Sequence, residues 1–198
     1  ALAHGAEVVS YFRWRQAPFG QEQMHEGLRL PDGGENEAYR VVRAVAAEIE
    51  ATGAAVETTK AEVAIIFDYE SAWAWSIQPQ GASFGYLGLV ATFYRALREL
   101  GVSVDIVPPT ADAVSGYRLV LAPALFSPSD ALVDALGQDG QFVLAGPRTG
   151  SRTADFAIPD ALPPGRALQR RLAIKVRRSE TLRPPAQVDV GEPANRYA

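Results

Sequence analysis

Four short apolar runs, rich in branched residues and bounded by breakers, constrain the fold of residues 61–178 more than any other feature. They lie at 63–67, 102–107, 117–123 and 141–145. Such a run is typical of a parallel strand buried on both faces. Apolar side chains recur at helical spacing in residues 83–100, which predicts a helix capped by Ser83. The string Ser127-Pro128-Ser129-Asp130 predicts a second helix, with Ser127 as its cap. Strands separated by helices predict an α/β fold, a flavodoxin-like three-layer sandwich with a mostly parallel sheet.

The segments outside these four runs predict a first block and a link. Residues 6–14 resemble a buried strand, although almost no residues precede them to pair with, so we expect the chain to be a piece of a longer protein. Residues 36–51 have helical periodicity and are followed by Gly53, which predicts an amphipathic helix leading into the second block. Residues 172–176 are one more candidate strand. We expect the polar tail from Arg183 onward to be loosely held.

Composition excludes several classes of function. The net charge of −4 over 198 residues gives no electrostatic footprint for nucleic acid. No apolar run approaches the roughly 20 residues that cross a bilayer, and no secretion signal is visible. Zero cysteines exclude disulfides and thiolate metal sites, and two histidines leave little for a metal. We therefore predict no cofactor, no metal, no nucleic-acid or membrane partner, and a cytoplasmic location.

The loops after the predicted strands are where a ligand would bind in an open parallel sheet. The loop at 146–156 (GPRTGSRTADF) could cradle an anion, but it lacks the phosphate-loop pattern, and a structural turn with solvated arginines is the favoured interpretation. Sheets of this kind also occur in glutamine amidotransferases, whose nucleophile is a cysteine. This chain has none, and no Gly-x-Ser-x-Gly elbow is present. A self-contained acyl-transfer enzyme is therefore not predicted.

Residues 68–81 (DYESAWAWSIQPQG) place two indole rings, Trp73 and Trp75, in a predicted loop after the first strand. Such rings pack under a loop or against a neighbouring domain, or they stack on a sugar. We favour packing over sugar stacking. Trp73 and Trp75 are therefore candidates for an interface or for the wall of a pocket.

The first block concentrates Phe12, Glu22 and His25 among further aromatic and arginine side chains. A carboxylate and an imidazole three residues apart share one face of a helical turn, and beside an aromatic ring they suit hydrogen bonding to a stacked sugar. By spacing alone, a surface pair or half of a metal site would have the same pattern. The metal alternative lacks further ligands.

Several long motifs in this chain resemble glycoside hydrolase family 42. Residues 11–29 (YFRWRQAPFGQEQMHEGLR) are similar to the segment that closes the catalytic barrel of its β-galactosidases. The strings FDYESAWAWSIQPQG, YRLVLAPAL and GPRTGSRT resemble successive motifs of that family's trimerisation domain. The resemblance extends over residues 1–176 and implies four regions. They are a remnant of a (β/α)8 barrel at 1–34, a link at 35–60, the trimerisation domain at 61–178 and a tail at 179–198 leading toward a β domain.

The resemblance implies a retaining hydrolase of terminal β-D-galactosides that assembles as a homotrimer. Its two catalytic glutamates would both precede Ala1, so no catalytic residue is expected in this chain, which we predict to be inactive alone. By position in the motif, Phe12 would line the galactose pocket, and Glu22 and His25 would hydrogen-bond galactose hydroxyls. The alternative is a stand-alone flavodoxin-like binding or assembly module, which predicts that residues 6–14 join the second block's own sheet.

Overall fold

The computed structural model describes residue 2 and residues 5–53, 58–138 and 140–179. The chain divides into two compact units, Ala1–Thr59 and Lys60–Ala198, which we call unit 1 and unit 2. Most of the predicted tail, residues 180–198, lies outside the described residues. Over the described ranges, no helix combines the length and the apolar character needed to cross a membrane.

The described part of unit 2 contains the strands β1 (Val63–Ile66), β2 (Val104–Val107), β3 (Leu119–Ala122) and β4 (Phe142–Ala145). They form one parallel sheet in the order β2-β1-β3-β4. All three pairings are parallel. Each of the four predicted runs contains one of these strands, so the predicted sheet is confirmed. Residues 6–14 are not part of it, contrary to what the stand-alone module predicts.

Helices cover both faces of this sheet. Val63 and Ile65 of β1 pack with α2 (Tyr69–Ile77) and α3 (Tyr86–Glu99) on one face. Ala64 and Ile66 pack with α4 (Asp130–Ala135) and α5 (Arg166–Leu172) on the other. The alternation follows from the two-residue period of a strand. The predicted α/β flavodoxin-like three-layer sandwich is confirmed.

The helix starts differ from the predicted ones by a few residues. The cap of α3 is Gly85, not Ser83, and α3 ends before Leu100. The cap of α4 is Ser129, whose hydroxyl accepts a hydrogen bond from the Leu132 N–H at 3.2 Å, and not Ser127. Ser129 is also followed by an acidic first turn, so both serines fit the sequence rule.

Helix α2 corrects the prediction of a loop at 68–81. Asp68 caps it: the carboxylate accepts hydrogen bonds from the N–H groups of Glu70 at 3.2 Å and Ser71 at 3.1 Å. The helix has large apolar side chains on both its buried and its exposed side, so the sequence shows no amphipathic period from which a helix could be predicted.

The candidate strand at 172–176 is also wrong. Leu172 is the last residue of α5, Ala173 ends that helix with φ of 51°, and residues 174–179 form no strand. The Val176 N–H donates a backbone hydrogen bond to the Pro163 carbonyl at 2.9 Å, which is not enough to form a strand ladder.

Unit 1 contains one described helix, α1 (Glu37–Thr52), which confirms the helix predicted at 36–51. It ends at Gly53, in the left-handed region with φ of 59°, whose N–H donates to the Glu50 carbonyl. The strand predicted at 6–14 is wrong, because this segment forms no strand. Its apolar side chains are exposed, Val8 by 81% and Phe12 by 68%.

Candidate functional site

The motif at 11–29 is folded back on itself in unit 1. The Leu28 N–H donates to the Arg13 carbonyl at 2.9 Å, and the Arg29 N–H donates to the Trp14 carbonyl at 2.8 Å. Gly27 makes this approach possible, because a Cβ there would lie 2.6 Å from the carbonyl carbon of Arg15. The closure brings the start of the motif beside its end.

This closure places the three residues predicted to contact a sugar in one cluster, together with Arg13. The rings of Phe12 and His25 meet edge to face, with centroids 5.7 Å apart. Arg13 Nη1 donates to Glu22 Oε2 at 3.2 Å, and the Arg13 guanidinium lies 5.5 Å from the centre of the Phe12 ring. Glu22 and His25 are joined by a turn in which the His25 N–H donates to the Glu22 carbonyl at 3.2 Å. We call these four residues the Phe12 cluster.

The Phe12 cluster is open to ligand. Phe12 is 68% exposed, and the Glu22 side chain is 56% exposed against 26% for Arg13. One Glu22 oxygen therefore accepts from a more buried guanidinium while the rest of the carboxylate faces solvent. The cluster offers an apolar ring, a hydrogen-bond acceptor and an imidazole that can donate or accept. It contains one carboxylate, so it lacks the acid pair that glycoside hydrolysis requires.

Arg13 is the member of this cluster that the sequence did not predict. In a strand, Phe12 and Arg13 would point to opposite faces, so no contact between both of them and Glu22 was expected. A second group was also not predicted, because its three side chains are far apart in the sequence. The Arg29 guanidinium lies 5.1 Å from the Trp14 ring centre and 4.9 Å from that of Tyr39, which places the motif against the start of α1.

In unit 2, the ends of β1 and β3 are joined by a buried polar network. The Ser71 hydroxyl donates to the Asp68 carboxylate and accepts from the Phe126 N–H at 3.0 Å. The Asp68 N–H donates to the Tyr86 hydroxyl at 2.6 Å, and burial raises the pKa of Tyr86 to about 12. Ser71 is fully buried, and no histidine occurs after His25 in the sequence. The network therefore stabilises the start of α2 and has no features of a nucleophile.

The two indole rings of α2 lie in different environments. Trp75 is 2% exposed, belongs to the core and donates its Nε1–H to the Phe84 carbonyl at 3.0 Å. Trp73 is 62% exposed. It lines a cleft of about 620 Å³ at the carboxyl ends of β1 and β2, which Tyr69 and Pro108 also line. Trp73 is therefore accessible, as a residue at an interface or in a pocket wall must be. Trp75 is not, because it packs inside unit 2.

The loop at 146–153 is held by close backbone approaches and by aromatic packing. A Cβ on Gly146 would lie 1.9 Å from the Pro123 carbonyl oxygen. The Arg148 guanidinium lies 4.3 Å from the centre of the Phe126 ring and 5.1 Å from that of Trp75. Burial, with the neighbouring Arg152, lowers the pKa of Arg148. The structural turn fits this geometry, and Arg148 is half-buried, so it is less solvated than predicted.

Over the ranges that the structure describes, no three His, Cys, Asp or Glu side chains come together in a manner suited to a metal ion. The Asp68 carboxylate is occupied by its own helix, and Glu22 is bound to Arg13.

Two family models match the chain. The model described as β-galactosidase trimerisation domain matches residues 61–198, and the model described as β-galactosidase matches residues 1–52. A Thermus sp. protein named Beta-galactosidase BgaA is 50% identical over 199 residues, covering 100% of this chain and 30% of its own length. A β-galactosidase of Thermus thermophilus is 50% identical over 194 residues, covering 98% of this chain and 30% of its own length.

Solved structures give the same result. The β-galactosidase of the psychrophilic Marinomonas ef1 superposes with a TM-score of 0.80 at 42% identity, over 94% of this chain and 29% of that one. The β-galactosidase of the haloarchaeon Halorubrum lacusprofundi superposes with a TM-score of 0.81 at 42% identity, over 91% of this chain and 27% of that one. The chain therefore spans about 30% of the length of the relatives it matches.

Proposed function

Because this chain belongs to the β-galactosidases of glycoside hydrolase family 42, we propose that it is part of a retaining enzyme that hydrolyses terminal β-D-galactosides. Residues 1–34 would be the end of a catalytic barrel and residues 61–178 a trimerisation domain. Residues 35–60 would link the two, and residues 179–198 would lead toward a β domain. A homotrimer and a cytoplasmic location belong to the same proposal.

The observation that carries the proposal is the Phe12 cluster. Its four side chains come from a motif within the residues that match the β-galactosidase family model. An aromatic ring with a carboxylate and an imidazole at its edge suits a sugar, whose apolar ring face stacks while its hydroxyls bind polar groups. Phe12 would line the galactose pocket, Glu22 would accept hydrogen bonds from hydroxyls, and His25 would donate or accept one.

The reaction itself needs two further carboxylates. In a retaining glycosidase they stand about 5 to 5.5 Å apart, one as nucleophile and one as acid and base. We propose that both are supplied by residues that precede this chain in the whole enzyme. The role of this chain's residues is then to hold the galactose so that its anomeric carbon meets the nucleophile, which is a contribution of orientation.

The proposal can be tested by grafting this chain into a longer relative. This chain would replace the matching segment of the Thermus thermophilus β-galactosidase, and hydrolysis of a chromogenic β-galactoside would be measured. Glu22→Gln and His25→Ala should each lower kcat/KM by roughly 10- to 100-fold, because each removes a hydrogen bond that involves a charged or polar pocket group.

Glu26→Gln is the matched control. Glu26 Oε2 accepts from the Asn36 side chain at 3.2 Å, so this carboxylate has a local partner, and its loss should change kcat/KM less than about threefold. Equal losses for Glu22→Gln and Glu26→Gln would contradict the assignment. The ungrafted 198-residue chain should show no hydrolysis, and activity there would refute the proposal that both catalytic acids lie elsewhere.

A further inference from the structure

Three large apolar side chains form an exposed stripe along α2. Tyr69, Trp73 and Ile77 are 67%, 62% and 73% exposed. They are spaced four residues apart and therefore share one face of the helix. The opposite side of α2 is buried at Ser71, Ala74 and Trp75. We call Tyr69, Trp73 and Ile77 the α2 stripe.

The α2 stripe is ordered by its neighbours. The Tyr69 ring meets the Phe67 ring edge to face at 5.0 Å, and the Trp73 ring lies 6.3 Å from that of Tyr69. Beside the stripe lies a pocket of about 300 Å³, lined by Trp73, Ile77, Phe126 and Phe156 among others. Rings that are already held in place suit an interface anchor, because they lose little side-chain entropy on docking. An anchor also needs a neighbouring pocket.

Charged side chains of both signs border the stripe. Glu70 is exposed at its amino end. At its carboxyl end, Arg152 donates to the Gln78 side chain at 2.7 Å, and Arg148 donates to the Gln78 carbonyl at 2.6 Å. Within the described part of the chain, no carboxylate lies within salt-bridge distance of either guanidinium. An apolar centre with a polar rim is the usual anatomy of a protein–protein interface.

The size of the stripe also suits an interface. A fully covered aromatic side chain buries about 150–250 Å², so the three exposed side chains offer roughly 400 Å². That is about half of the ~800 Å² which one partner contributes to a standard interface. Apolar patches of this size on a single chain are often functional.

We infer that the α2 stripe is a contact surface between copies of this chain. A second copy is the expected partner, because residues 61–198 match a trimerisation domain. The inference therefore rests on the homotrimer in the proposed function. A closed three-membered ring requires a heterologous contact, in which the stripe of one copy meets a different surface of the next. Trp73 is the central anchor, because it stands between the cleft and the apolar pocket.

A competing surface exists on the same unit. Phe142 and Leu144 of β4 are 70% and 45% exposed, and β4 is an edge strand among the described strands. A pocket of about 540 Å³ borders Phe142, but its other lining residues are mostly small or polar. Within the described ranges Phe142 makes no ring contact of the kind that orders the α2 stripe. It serves as the alternative in the experiment.

The experiment measures the mass in solution of the 198-residue chain by light scattering and sedimentation over a range of concentrations. The unchanged chain should be a trimer. Trp73→Asp should weaken assembly roughly 30-fold or more and yield monomer, as expected for a central anchor. The matched control is Leu100→Asp, which alters a residue that is 78% exposed at the end of α3 and should leave the trimer intact. Circular dichroism establishes that each variant is folded, and Trp73→Ala replaces Trp73→Asp if that variant is not.

A monomeric unchanged chain, or a folded Trp73 variant that stays trimeric, would overturn the inference. Loss of the trimer in Phe142→Asp with retention in the Trp73 variant would also overturn it, in favour of the β4 surface. The grafted enzyme separates this result from the proposed function. If the graft hydrolyses β-galactosides while its Trp73 variant stays trimeric, the inference fails and the proposed function stands. If the chain is trimeric through Trp73 but the graft is inactive, the proposed function fails alone.

Discussion

Unit 1 and unit 2 use the same kinds of apolar residue in opposite ways. In unit 2, Ile65 and Phe126 are 0% and 1% exposed, within a core on both faces of the sheet. Among the described residues of unit 1, Gly27 is the one buried position, and no residue of α1 is buried. Apolar composition therefore does not by itself create a core here. The parallel sheet does so in unit 2, whereas unit 1 presents its rings outward.

The exposed rings of unit 1 have a functional meaning under the proposed function. Phe12 and Trp14 are 68% and 59% exposed, although each has an aromatic or cationic neighbour that orders it. Rings that are ordered but uncovered are suited to stacking on a sugar or packing against another part of an enzyme. Variants that change the same kind of side chain in each unit test this difference.

The largest difference in the free energy of unfolding should be seen between a phenylalanine variant in unit 2 and one in unit 1. Phe126→Ala should lower the free energy of unfolding by about 3–5 kcal/mol, because it leaves a cavity beside Trp75 and removes the ring under Arg148. Phe12→Ala should change it by less than about 0.5 kcal/mol, since the ring is exposed. Urea unfolding of both variants, followed by circular dichroism, checks this. Similar losses in the two variants would show that unit 1 has a stabilising core after all.

The same contrast explains what the sequence could predict. The four strands were predictable because short branched runs lie between breaker residues, and their partners are all present within unit 2. Residues 6–14 have the same local pattern but form no strand. A strand depends on the backbone of a neighbour, and only the stretch around Arg13–Gln16 finds one, from Leu28 and Arg29.

Helix α2 and the Arg13–Glu22 pair could not be predicted for two further reasons. The helix has large apolar residues both inside, at Trp75, and outside, at Trp73, which removes the amphipathic period. The ion pair joins residues nine apart through a turn closed by Gly27, and no periodic pattern encodes such a contact. By contrast, the grouping of Phe12, Glu22 and His25 was suggested by their motif, and the structure brings them together.

An intermediate change in the free energy of unfolding should appear at alkaline pH. It depends on the buried polar network of unit 2. The folded state raises the pKa of Tyr86 from 10.0 to about 12, so the protonated hydroxyl stabilises the fold. This stability is fully present below about pH 10 and is lost as the pH rises through about 12. After allowance for screening by solvent it amounts to roughly 1 to 2 kcal/mol.

Tyr86→Phe measures this contribution. Near neutral pH the variant should be less stable by about 1 kcal/mol, because the Asp68 N–H loses its acceptor. At about pH 11 and above, the difference should shrink, since the unchanged chain loses the contribution of the hydroxyl and the variant has none to lose. Urea unfolding at several pH values gives the two curves. Parallel curves would contradict the role assigned to Tyr86, and Tyr117, which titrates in both proteins, does not affect the difference.

The smallest change in the free energy of unfolding should come from the two arginine–glutamate pairs, one in each unit. Arg118 and Glu62 of unit 2 are 2.9 Å apart with both side chains more than 70% exposed, and Arg13 and Glu22 of unit 1 are 3.2 Å apart. Arg118→Ala and Arg13→Ala should each change the free energy of unfolding by at most about 0.5 kcal/mol, because the glutamate of each pair is more than half exposed and such ion pairs contribute little. Urea unfolding of the chain would measure this.

In the grafted enzyme the two variants should separate. Arg13→Ala should raise KM for a chromogenic β-galactoside several-fold, because Glu22 would lose the guanidinium that holds its carboxylate beside Phe12. Arg118→Ala should leave both KM and kcat unchanged, since Glu62 has no part in the Phe12 cluster. If Arg13→Ala left KM unchanged while Glu22→Gln raised it, Arg13 would not be needed to position Glu22. The turn that contains Glu22 would then position it. A change of KM in Arg118→Ala would instead place a determinant of galactoside binding in unit 2.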